Sequence, residues 1–320
     1  MRIVQIETRA LEMPYTKPLV TATNNFTVAR GLLVKAVTDA GVEGYGYSDL
    51  FPRSGETTPE TARHVIEAVL KPKVVGRDLE ELARIRADMD HTLTGNPRAK
   101  AALEIALYDA LARSAHVPLN LMLGGRYRGE IKVIKMVSVG APDAMAEEAK
   151  RLASDGLALK LKMSGKLDQD LPRVAAVRNA VGNGVFIKVD ANESYDAKTA
   201  IRLAKGLADH GVEIFEQPVP RDQFDALREV KKHSPIKIEA DQSLRTVADA
   251  QMVIKHRMVD AINTGIQKIG GIGGVRQIAE LCELGEFEVI TGDPFFGLAV
   301  EEGAISVPEG EGLGVSLRGF

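Results

Sequence analysis

The 320-residue chain carries a formal net charge of −3, with 45% hydrophobic and 27% charged residues. This length accommodates one large α/β barrel, alone or with a smaller domain, and the composition is ordinary for a globular protein. The small charge and the lack of a long basic run argue against a nucleic-acid partner, and no apolar run reaches the ~20 residues that span a bilayer. The single cysteine, Cys282, excludes an intrachain disulfide. We expect a cytoplasmic protein with neither a nucleic-acid nor a membrane partner.

The amino-terminal third of the chain reads as strands followed by helices. Residues 1–10 and 30–48 have the apolar, β-branched pattern of strands, and residues 39–41 interrupt the second run as a hairpin turn. The polar stretch 15–29 between them is predicted to be a loop. Helical periodicity then follows at 58–71, 79–93 and 97–115. This order predicts an α+β unit.

Short apolar strands alternate with amphipathic helices in the rest of the chain. The strands fall near 132–139, 157–163, 185–190, 212–216, 236–241 and 260–266, and the helices near 142–155, 168–181, 196–210, 221–233, 246–257 and 273–284. Such alternation predicts right-handed βαβ units and a parallel sheet. Six units with no dinucleotide-binding glycine pattern after the first strand favour a TIM-like barrel over an open doubly wound sheet.

Charged side chains stand at the carboxyl ends of these predicted barrel strands. They are Lys160 and Lys162, Asp190, Glu216, Asp241 and, just past the sixth strand, Lys268. Successive positions after Lys162 are about 25 to 28 residues apart, the length of one βα unit, so they are expected to meet at one mouth of the barrel. Three carboxylates packed together require a cation to stay ionised, and three oxygen ligands suit Mg²⁺, with Mn²⁺ as a substitute.

Asp190, Glu216 and Asp241 are therefore the predicted metal ligands. Asn192 shares a strand face with Asp190 by alternation and is expected to support that carboxylate. Lys160 and Lys162 are two residues apart and face one side of their strand. A second ammonium and a metal both lower the pKa of a lysine, so this pair is interpreted as a base and its electrostatic helper.

These motifs resemble the enolase superfamily, specifically the muconate-lactonising subgroup of the mandelate racemase and muconate lactonising enzyme family. The matching segments are Lys160-x-Lys162, Asp190-x-Asn192, Glu216-Gln-Pro, Ala240-Asp241, Lys268-x-Gly-Gly, the alanine-rich stretch from Ala101, and the tail from Glu301. The resemblance implies a (β/α)7β barrel at 126–298. It also implies an α+β capping domain at 1–125 that the tail 299–320 completes.

The same resemblance implies Mg²⁺-dependent removal of a proton next to a carboxylate, through an enediolate. Lys162 and Lys268 would be acid/base groups on opposite faces of the substrate, and Lys160 would lie beside the substrate carboxylate. A small-molecule carboxylate as substrate and a homo-oligomeric assembly are implied as well. Loops at 15–26 and 49–55 would select the substrate. Candidate contacts are Tyr15, Thr23, Asn24, Phe26, Phe51 and Arg53 from the capping loops, with Thr291 and Asp293 from the barrel.

The chain departs from the family pattern at three places. Gln242 stands where the family usually has Glu, and we expect it to support the metal site; Gly265 replaces a frequent lysine. Between Glu283 and Asp293 the family usually has a strand, a helix and another strand, which this sequence is expected to lack. Either the sequence omits a segment or the barrel carries an internal deletion. The glycines at 270–271 and 273–274 are interpreted as a tight strand-to-helix turn, with phosphate binding at a helix amino terminus as the alternative.

Lysines on both faces favour a racemase or epimerase. By the resemblance, its substrate would be an amino-acid derivative such as a dipeptide, an N-acyl amino acid or a proline derivative. A muconate-type cycloisomerase and a hydroxy-acid dehydratase, which is a lyase, use the same residues and stay open. The alternative of another class is a catalytically silent, enolase-like binding protein, suggested by the shortened barrel.

Overall fold

The computed structural model describes residues 1–20, 25–50, 58–285, 287–291 and 303–314. An antiparallel sheet of three strands begins the chain, with β1 (Ile3–Val20), β2 (Asn25–Thr38) and β3 (Glu43–Asp49) in that order. Within the described ranges no helix is both long and apolar enough to cross a membrane.

The loop predicted at 15–29 is wrong for the residues that the structure describes there. β1 continues through residue 20 and β2 starts at residue 25, so the two strands form one long hairpin. β1 is an edge strand, and the described side chains of its outer part are exposed or half-buried, so Pro14 and Pro18 do not interrupt it. The register shifts between Pro14 and Leu19, which is where the alternating pattern in the sequence is lost.

Helical segments follow the sheet. They are α1 (Pro59–His64), a π-helical turn (Val65–Leu70), α2 (Lys71–Val74), a 3₁₀ turn (Leu79–Glu81), α3 (Leu82–Thr92), α4 (Pro97–Ser114) and α5 (Leu119–Met122). Glycines in β3 allow α4 to lie directly on the sheet. A Cβ added at Gly46 would lie 2.0 Å from Ala102 O, and one at Gly44 would lie 2.3 Å from Ala106 O. Helix α4 is therefore the closely packed centre of the amino-terminal unit.

A parallel sheet with helices between its strands forms the second unit and confirms the predicted fold class. Its strands are β5 (Ile134–Val137), β6 (Ala158–Lys162), β7 (Ile187–Asp190), β8 (Ile214–Glu216), β9 (Lys237–Ala240), β10 (Ala261–Thr264) and β11 (Glu288–Thr291), each paired with the next. The helices are α6 (Pro142–Ser154), α7 (Leu167–Val181), α8 (Ala197–Asp209), α9 (Phe224–His233), α10 (Val247–Lys255) and α11 (Ile272–Gly285). The sheet curls, so that its strand ends converge.

Strand β11 corrects one part of the expected deletion. It lies between Glu283 and Asp293, and it pairs in parallel with β10 from Ala261–Glu288 to Thr264–Thr291. Four residues are enough to extend the ladder, which is why a segment this short can take the seventh position. The further helix and strand that the family has before Asp293 stay a predicted loss, because residues 292–302 lie outside the described residues.

The described part of the tail contacts both units. Strand β12 (Ala304–Ser306) pairs with β4 (Glu130–Lys132), which precedes the parallel sheet. Further on, Gly312 O accepts a hydrogen bond from Leu119 N at 2.7 Å, and Leu313 N donates to Asp109 Oδ1 at 2.7 Å. These contacts agree with a tail that completes the capping domain, although the predicted domain boundaries themselves stay predictions.

Candidate active site

Adjacent strands bring the predicted site residues into one row. Lys162 lies opposite Asp190 in the β6–β7 ladder, and Asp190 lies opposite Glu216 in the β7–β8 ladder. Asp241 follows β9 directly, and Lys268 lies four residues after the end of β10. The carboxyl ends of the parallel strands therefore gather these side chains at one mouth, as in other parallel barrels.

Lys160 bridges two of the predicted metal ligands. Its Nζ lies 2.9 Å from Asp190 Oδ2 and 2.7 Å from Glu216 Oε2. Burial alone would lower the pKa of Lys160, but Asp190, Glu216 and Asp241 outweigh it and hold that pKa well above its ordinary value. The three predicted ligand carboxylates thus act together on one positive charge.

Lys162 and Asn192 both contact Asp190. Lys162 Nζ donates to Asp190 Oδ2 at 2.6 Å and to Asn192 Oδ1 at 3.2 Å. Asn192 in turn donates from its backbone N and its Nδ2 to the two Asp190 oxygens, at 2.9 and 3.2 Å. The predicted support is present, but its geometry differs: β7 ends at Asp190, and Asn192 reaches back through a left-handed turn with φ of 46°.

Lys268 contacts the third predicted ligand from the other side of the site. Its Nζ donates to Asp241 Oδ1 at 2.6 Å and to Asn263 O at 2.9 Å. Burial would raise the pKa of Asp241, but Lys268 and Lys160 outweigh it and lower that pKa. The pKa of Asp190 is lowered in the same way, since Lys160 and Lys162 outweigh burial.

The donor set fits a hard divalent cation, because it offers three carboxylates that already converge on the Lys160 ammonium. In their present positions, no group of three acidic, histidine or cysteine side chains among the described residues has the spacing to hold an ion. Ammonium groups lie between the carboxylates instead. An ion held by Asp190, Glu216 and Asp241 would therefore require Lys160 to move away from Asp190 and Glu216.

Sequence reasoning missed a buried layer directly beneath this mouth. Lys188 is 1% exposed, and its Nζ lies 2.8 Å from both oxygens of Glu239 and 2.9 Å from Glu216 Oε2. Asn263 Nδ2 donates to Glu216 Oε1 at 3.0 Å. Burial alone would lower the pKa of Lys188, but the charges of Glu216 and Glu239 outweigh burial and raise that pKa. The pKa of Glu239 is also raised, by burial and by the charge of Glu216.

Strand alternation was the signal that could have found this layer. Lys188 and Glu239 lie two residues before Asp190 and Asp241, so each shares the inward face of its strand with a predicted ligand. The lysine contacts correct the expectation that the three carboxylates need a metal to stay ionised, because buried Lys188 contacts Glu216 as well as Glu239. The described site contains as many lysines as carboxylates, four of each. The expectation of a metal ion therefore depends on the oxygen ligands that the carboxylates offer and not on a need to neutralise their charge.

A glutamine positions Asp241, but it is not the predicted one. Gln217 Oε1 accepts hydrogen bonds from Asp241 N at 2.9 Å and Ser243 N at 3.1 Å, and the side chain is fully buried. Gln242 Oε1 is buried and has no hydrogen-bond partner among the described residues. The signal for Gln217 was its place between a strand-end Glu216 and a proline, where it adopts φ of 37°.

The predicted substrate contacts are only partly described. Tyr15 is half-buried on β1, and burial followed by Asp49 raises its pKa. Phe26 pairs with Leu19 in the hairpin, whose outer end reaches the barrel mouth, since Val20 N donates to Ser138 Oγ at 3.3 Å. Thr291 lies in β11 with no side chain described. Outside the described residues lie Thr23, Asn24, Phe51, Arg53 and Asp293.

Two family models match the chain. Residues 5–124 match the amino-terminal domain of mandelate racemase / muconate lactonizing enzyme, and residues 144–300 match the enolase C-terminal domain-like model. The chain belongs to the mandelate racemase and muconate lactonizing enzyme family of the enolase superfamily. The resemblance expected from the strand-end motifs is thereby confirmed.

Relatives within this family are isomerases. The chain is 35% identical over 297 residues to the L-Ala-D/L-Glu epimerase of Bacillus subtilis strain 168. This match covers 91% of this chain and 81% of that protein. It is 32% identical over 289 residues to muconate cycloisomerase 1 of Rhodococcus opacus, covering 88% and 77%. Its structure matches the dipeptide epimerase of Enterococcus faecalis V583, complexed with Mg and the dipeptide L-Leu-L-Tyr, with a TM-score of 0.94, 26% identity and coverage of 99% and 100%. Like these relatives, this family member is an isomerase.

Proposed function

We propose that this protein is a Mg²⁺-dependent epimerase or racemase that inverts the carbon next to the carboxylate of an amino-acid derivative, with dipeptides as the first class to test. The observation that carries the proposal is the separation of the two lysines. Lys162 is on β6 and contacts Asp190, whereas Lys268 follows β10 and contacts Asp241. The carboxylates of β7 to β9 lie between them, where a substrate carboxylate would bind.

The proposed roles follow from these positions. Asp190, Glu216 and Asp241 would hold Mg²⁺, which would stabilise the negative charge that develops on the substrate carboxylate. Lys160 Nζ contacts both Asp190 and Glu216 and would pair with the substrate carboxylate. Lysines on opposite faces of the α-carbon would then remove a proton from one side and deliver one from the other.

Each lysine must be neutral to act as a base and charged to act as an acid. Lys162 Nζ contacts Asp190 and Lys268 Nζ contacts Asp241, so each lysine is held at one of the proposed metal ligands. Asn192 would help to keep Lys162 aligned, because its Oδ1 accepts a hydrogen bond from Nζ while its own amides donate to Asp190.

Proton NMR in D₂O tests the proposal. The protein is incubated with MgCl₂ and a panel of dipeptides, N-acyl amino acids, proline derivatives, muconate and hydroxy acids, beside Lys162→Ala and Lys166→Ala. Lys166 is the matched control, because it lies in the same segment with an exposed side chain. We expect loss of an α-proton signal that requires Mg²⁺ and Lys162 but not the Lys166 side chain.

The other outcomes separate the remaining functions. Lactone formation from muconate would establish a cycloisomerase, and loss of water from a hydroxy acid would establish a dehydratase. Saturable binding of a panel compound without exchange or turnover would favour a silent binding protein. Exchange that proceeds equally in Lys162→Ala would contradict the assigned base.

We also propose a cytoplasmic location and a homo-oligomeric assembly. The lone cysteine and the composition support the first, and the family resemblance supports the second. Light scattering on the purified protein measures the assembly, and a mass equal to one chain of 34.5 kDa would contradict it.

A further inference from the structure

The loop that carries Lys268 lies on the capping domain. This segment, residues 265–271 between β10 and α11, is called the Lys268 loop below. It is a compact turn, in which Ile269 N donates to Gly265 O at 3.2 Å and Gly271 N donates to Ile266 O at 2.8 Å. A small apolar cluster that includes Ile105 of α4 and Ile272 of α11 packs at the end of the loop.

Glu104 of α4 points directly at the end of this loop. The residue is 2% exposed, and a Cβ added at Gly271 would lie only 1.6 Å from Glu104 Oε2. At Gly273 an added Cβ would lie 2.3 Å from Arg86 Nη1 and 3.1 Å from Glu104 Oε1. The glycines of this region are thus required because two side chains of the capping domain approach the backbone here.

This approach also decides between the two interpretations of the glycine-rich sequence. The carboxylate of Glu104 occupies the amino end of α11, where a phosphate would otherwise bind. The amides of Ile272 and Gly273 act on that carboxylate and favour its charged form. The anion at this helix end belongs to the protein itself.

The Glu104 carboxylate is held in an unfavourable environment. Burial raises its pKa to about 7, even though Arg86 and the two amides oppose that rise. Arg86 Nε is 3.6 Å from Oε1, and neither oxygen has a well-formed hydrogen bond among the described residues. A buried carboxylate that is so poorly compensated costs stability, so its presence calls for a role outside stability.

We propose that Glu104 is a positioning residue for Lys268, which holds the Lys268 loop against α4 and thereby sets where the Lys268 Nζ lies. The proposal rests on the proposed two-lysine reaction. Glu104 contacts the loop at Gly271, three residues after Lys268, and Lys162 lies on another strand. Loss of the Glu104 charge is therefore expected to misplace one lysine and leave the other in position.

The test measures α-proton exchange in D₂O for each stereoisomer of a substrate, in the full-length protein with Mg²⁺. Glu104→Gln removes the charge and keeps the shape, and Glu104→Ala removes both. Asp109→Asn is the matched control, because Asp109 is equally buried on the same helix but contacts Tyr45, Arg113 and Leu313 instead of the Lys268 loop.

We expect the Lys268-dependent exchange to fall about tenfold or more in Glu104→Gln, since displacements of about 1 Å can cost about a hundredfold. The Lys162-dependent exchange should change less than about twofold, because its loop is not touched. In Asp109→Asn any loss should be equal for the two stereoisomers. Equal losses in Glu104→Gln, or no loss, would overturn the proposal.

A second readout does not depend on activity. Amide hydrogen exchange of the Lys268 loop should become faster in Glu104→Gln but not in Asp109→Asn, relative to the parent. If the parent exchanges no substrate proton on the panel, the proposed function fails there and this readout alone judges the role of Glu104. Unchanged protection of the loop would then contradict it.

Discussion

The two lysines of the site are supported in different ways. Lys162 is the last residue of β6, and the segment after it is fixed by Asp170 of α7, which is fully buried. Asp170 accepts hydrogen bonds from Ser164 N at 3.0 Å, Lys166 N at 3.1 Å and Arg173 Nη1 at 3.0 Å. All of these residues belong to the barrel.

The Lys268 loop has a different kind of support. Lys268 lies beyond the end of its strand, and the carboxylate beneath its loop comes from α4 in the capping domain. Asp170 has several well-formed hydrogen bonds, whereas Glu104 has none among the described residues. Among the described residues, the Lys162 side of the site is supported by barrel residues, while the Lys268 side depends on contact between the two domains.

The largest expected effect separates the lysines themselves. Lys162→Ala should abolish exchange from one stereoisomer, and Lys268→Ala should abolish it from the other, each by about 10²- to 10⁴-fold. The reason is that each base faces one side of the α-carbon. NMR in D₂O on the two pure stereoisomers measures this. Loss of both exchanges in both variants would mean that the two sides are not independent.

Asp170→Asn should weaken the Lys162 side selectively. The change leaves Arg173 without its buried partner and is expected to cost about 3 kcal/mol of unfolding free energy. Exchange that depends on Lys162 should fall more than exchange that depends on Lys268. Urea unfolding and the two-stereoisomer assay measure these effects. Asp196→Asn, at the exposed start of α8, is the control and should alter neither exchange. A larger loss on the Lys268 side would reverse the comparison.

Glu104→Gln should change how stability depends on pH. Because burial raises the folded pKa of Glu104 from 4.5 to about 7, the folded state holds its proton more tightly than the unfolded state. The parent therefore loses stability as pH rises from about 4.5 to about 7, whereas the neutral variant does not. At pH 8 the variant should be more stable by at most about 3 kcal/mol.

Urea unfolding of parent and Glu104→Gln at pH 5 and pH 8 measures this difference. The charged and titratable groups around Glu104 are Arg86 and Asp90 of α3 and Tyr108 of α4. Asp90 is paired with Lys100 at 2.7 Å. Burial, and to a smaller extent Glu104, raises the pKa of Tyr108 above 10, so Tyr108 should not titrate between these pH values. An equal difference between the proteins at both pH values would contradict the buried charge.

Mg²⁺ binding should involve both lysine sides of the site, because its proposed ligands include Asp190, which contacts Lys162, and Asp241, which contacts Lys268. Binding to the folded state alone should add about 2.7 kcal/mol at a concentration one hundred times Kd. Thermal unfolding with and without MgCl₂ measures this in the parent and in Glu216→Gln, where the gain should be lost. Asp196→Asn should keep the full gain, and a gain that survives in Glu216→Gln would place the ion elsewhere.

The sequence predicted the strand-end residues well, because a parallel sheet with regular βα units converts spacing along the chain into proximity. Lys160, Asp190, Glu216 and Asp241 follow this rule. Lys188 and Glu239 follow it too, because each lies two residues before a strand-end carboxylate on the same face of its strand. Their mutual neutralisation depends on how β7 and β9 approach each other in the curled sheet, which spacing does not encode.

Contacts between the domains were beyond such reasoning. Glu104 is one of two acidic residues in an alanine-rich helix, and the glycines that it contacts lie far along the chain, so no local pattern connects them. The long β1–β2 hairpin was missed for a related reason. The described side chains in the outer part of β1 are exposed or half-buried, so none of them marks the fully buried face that identifies a strand. The spacing of apolar residues in the sequence indicates which face of an element is buried, but it does not indicate which domain covers that face.

The tail contacts have a consequence for biosynthesis. Asp109 is buried on α4, and one of its hydrogen bonds comes from Leu313, 204 residues later in the chain. While the polypeptide emerges from the ribosome, the capping helices are made early but lack this closing contact until almost all of the barrel has been translated. Contacts of such long sequence separation slow folding, so the nascent amino-terminal unit would spend most of synthesis incomplete and open to chaperones.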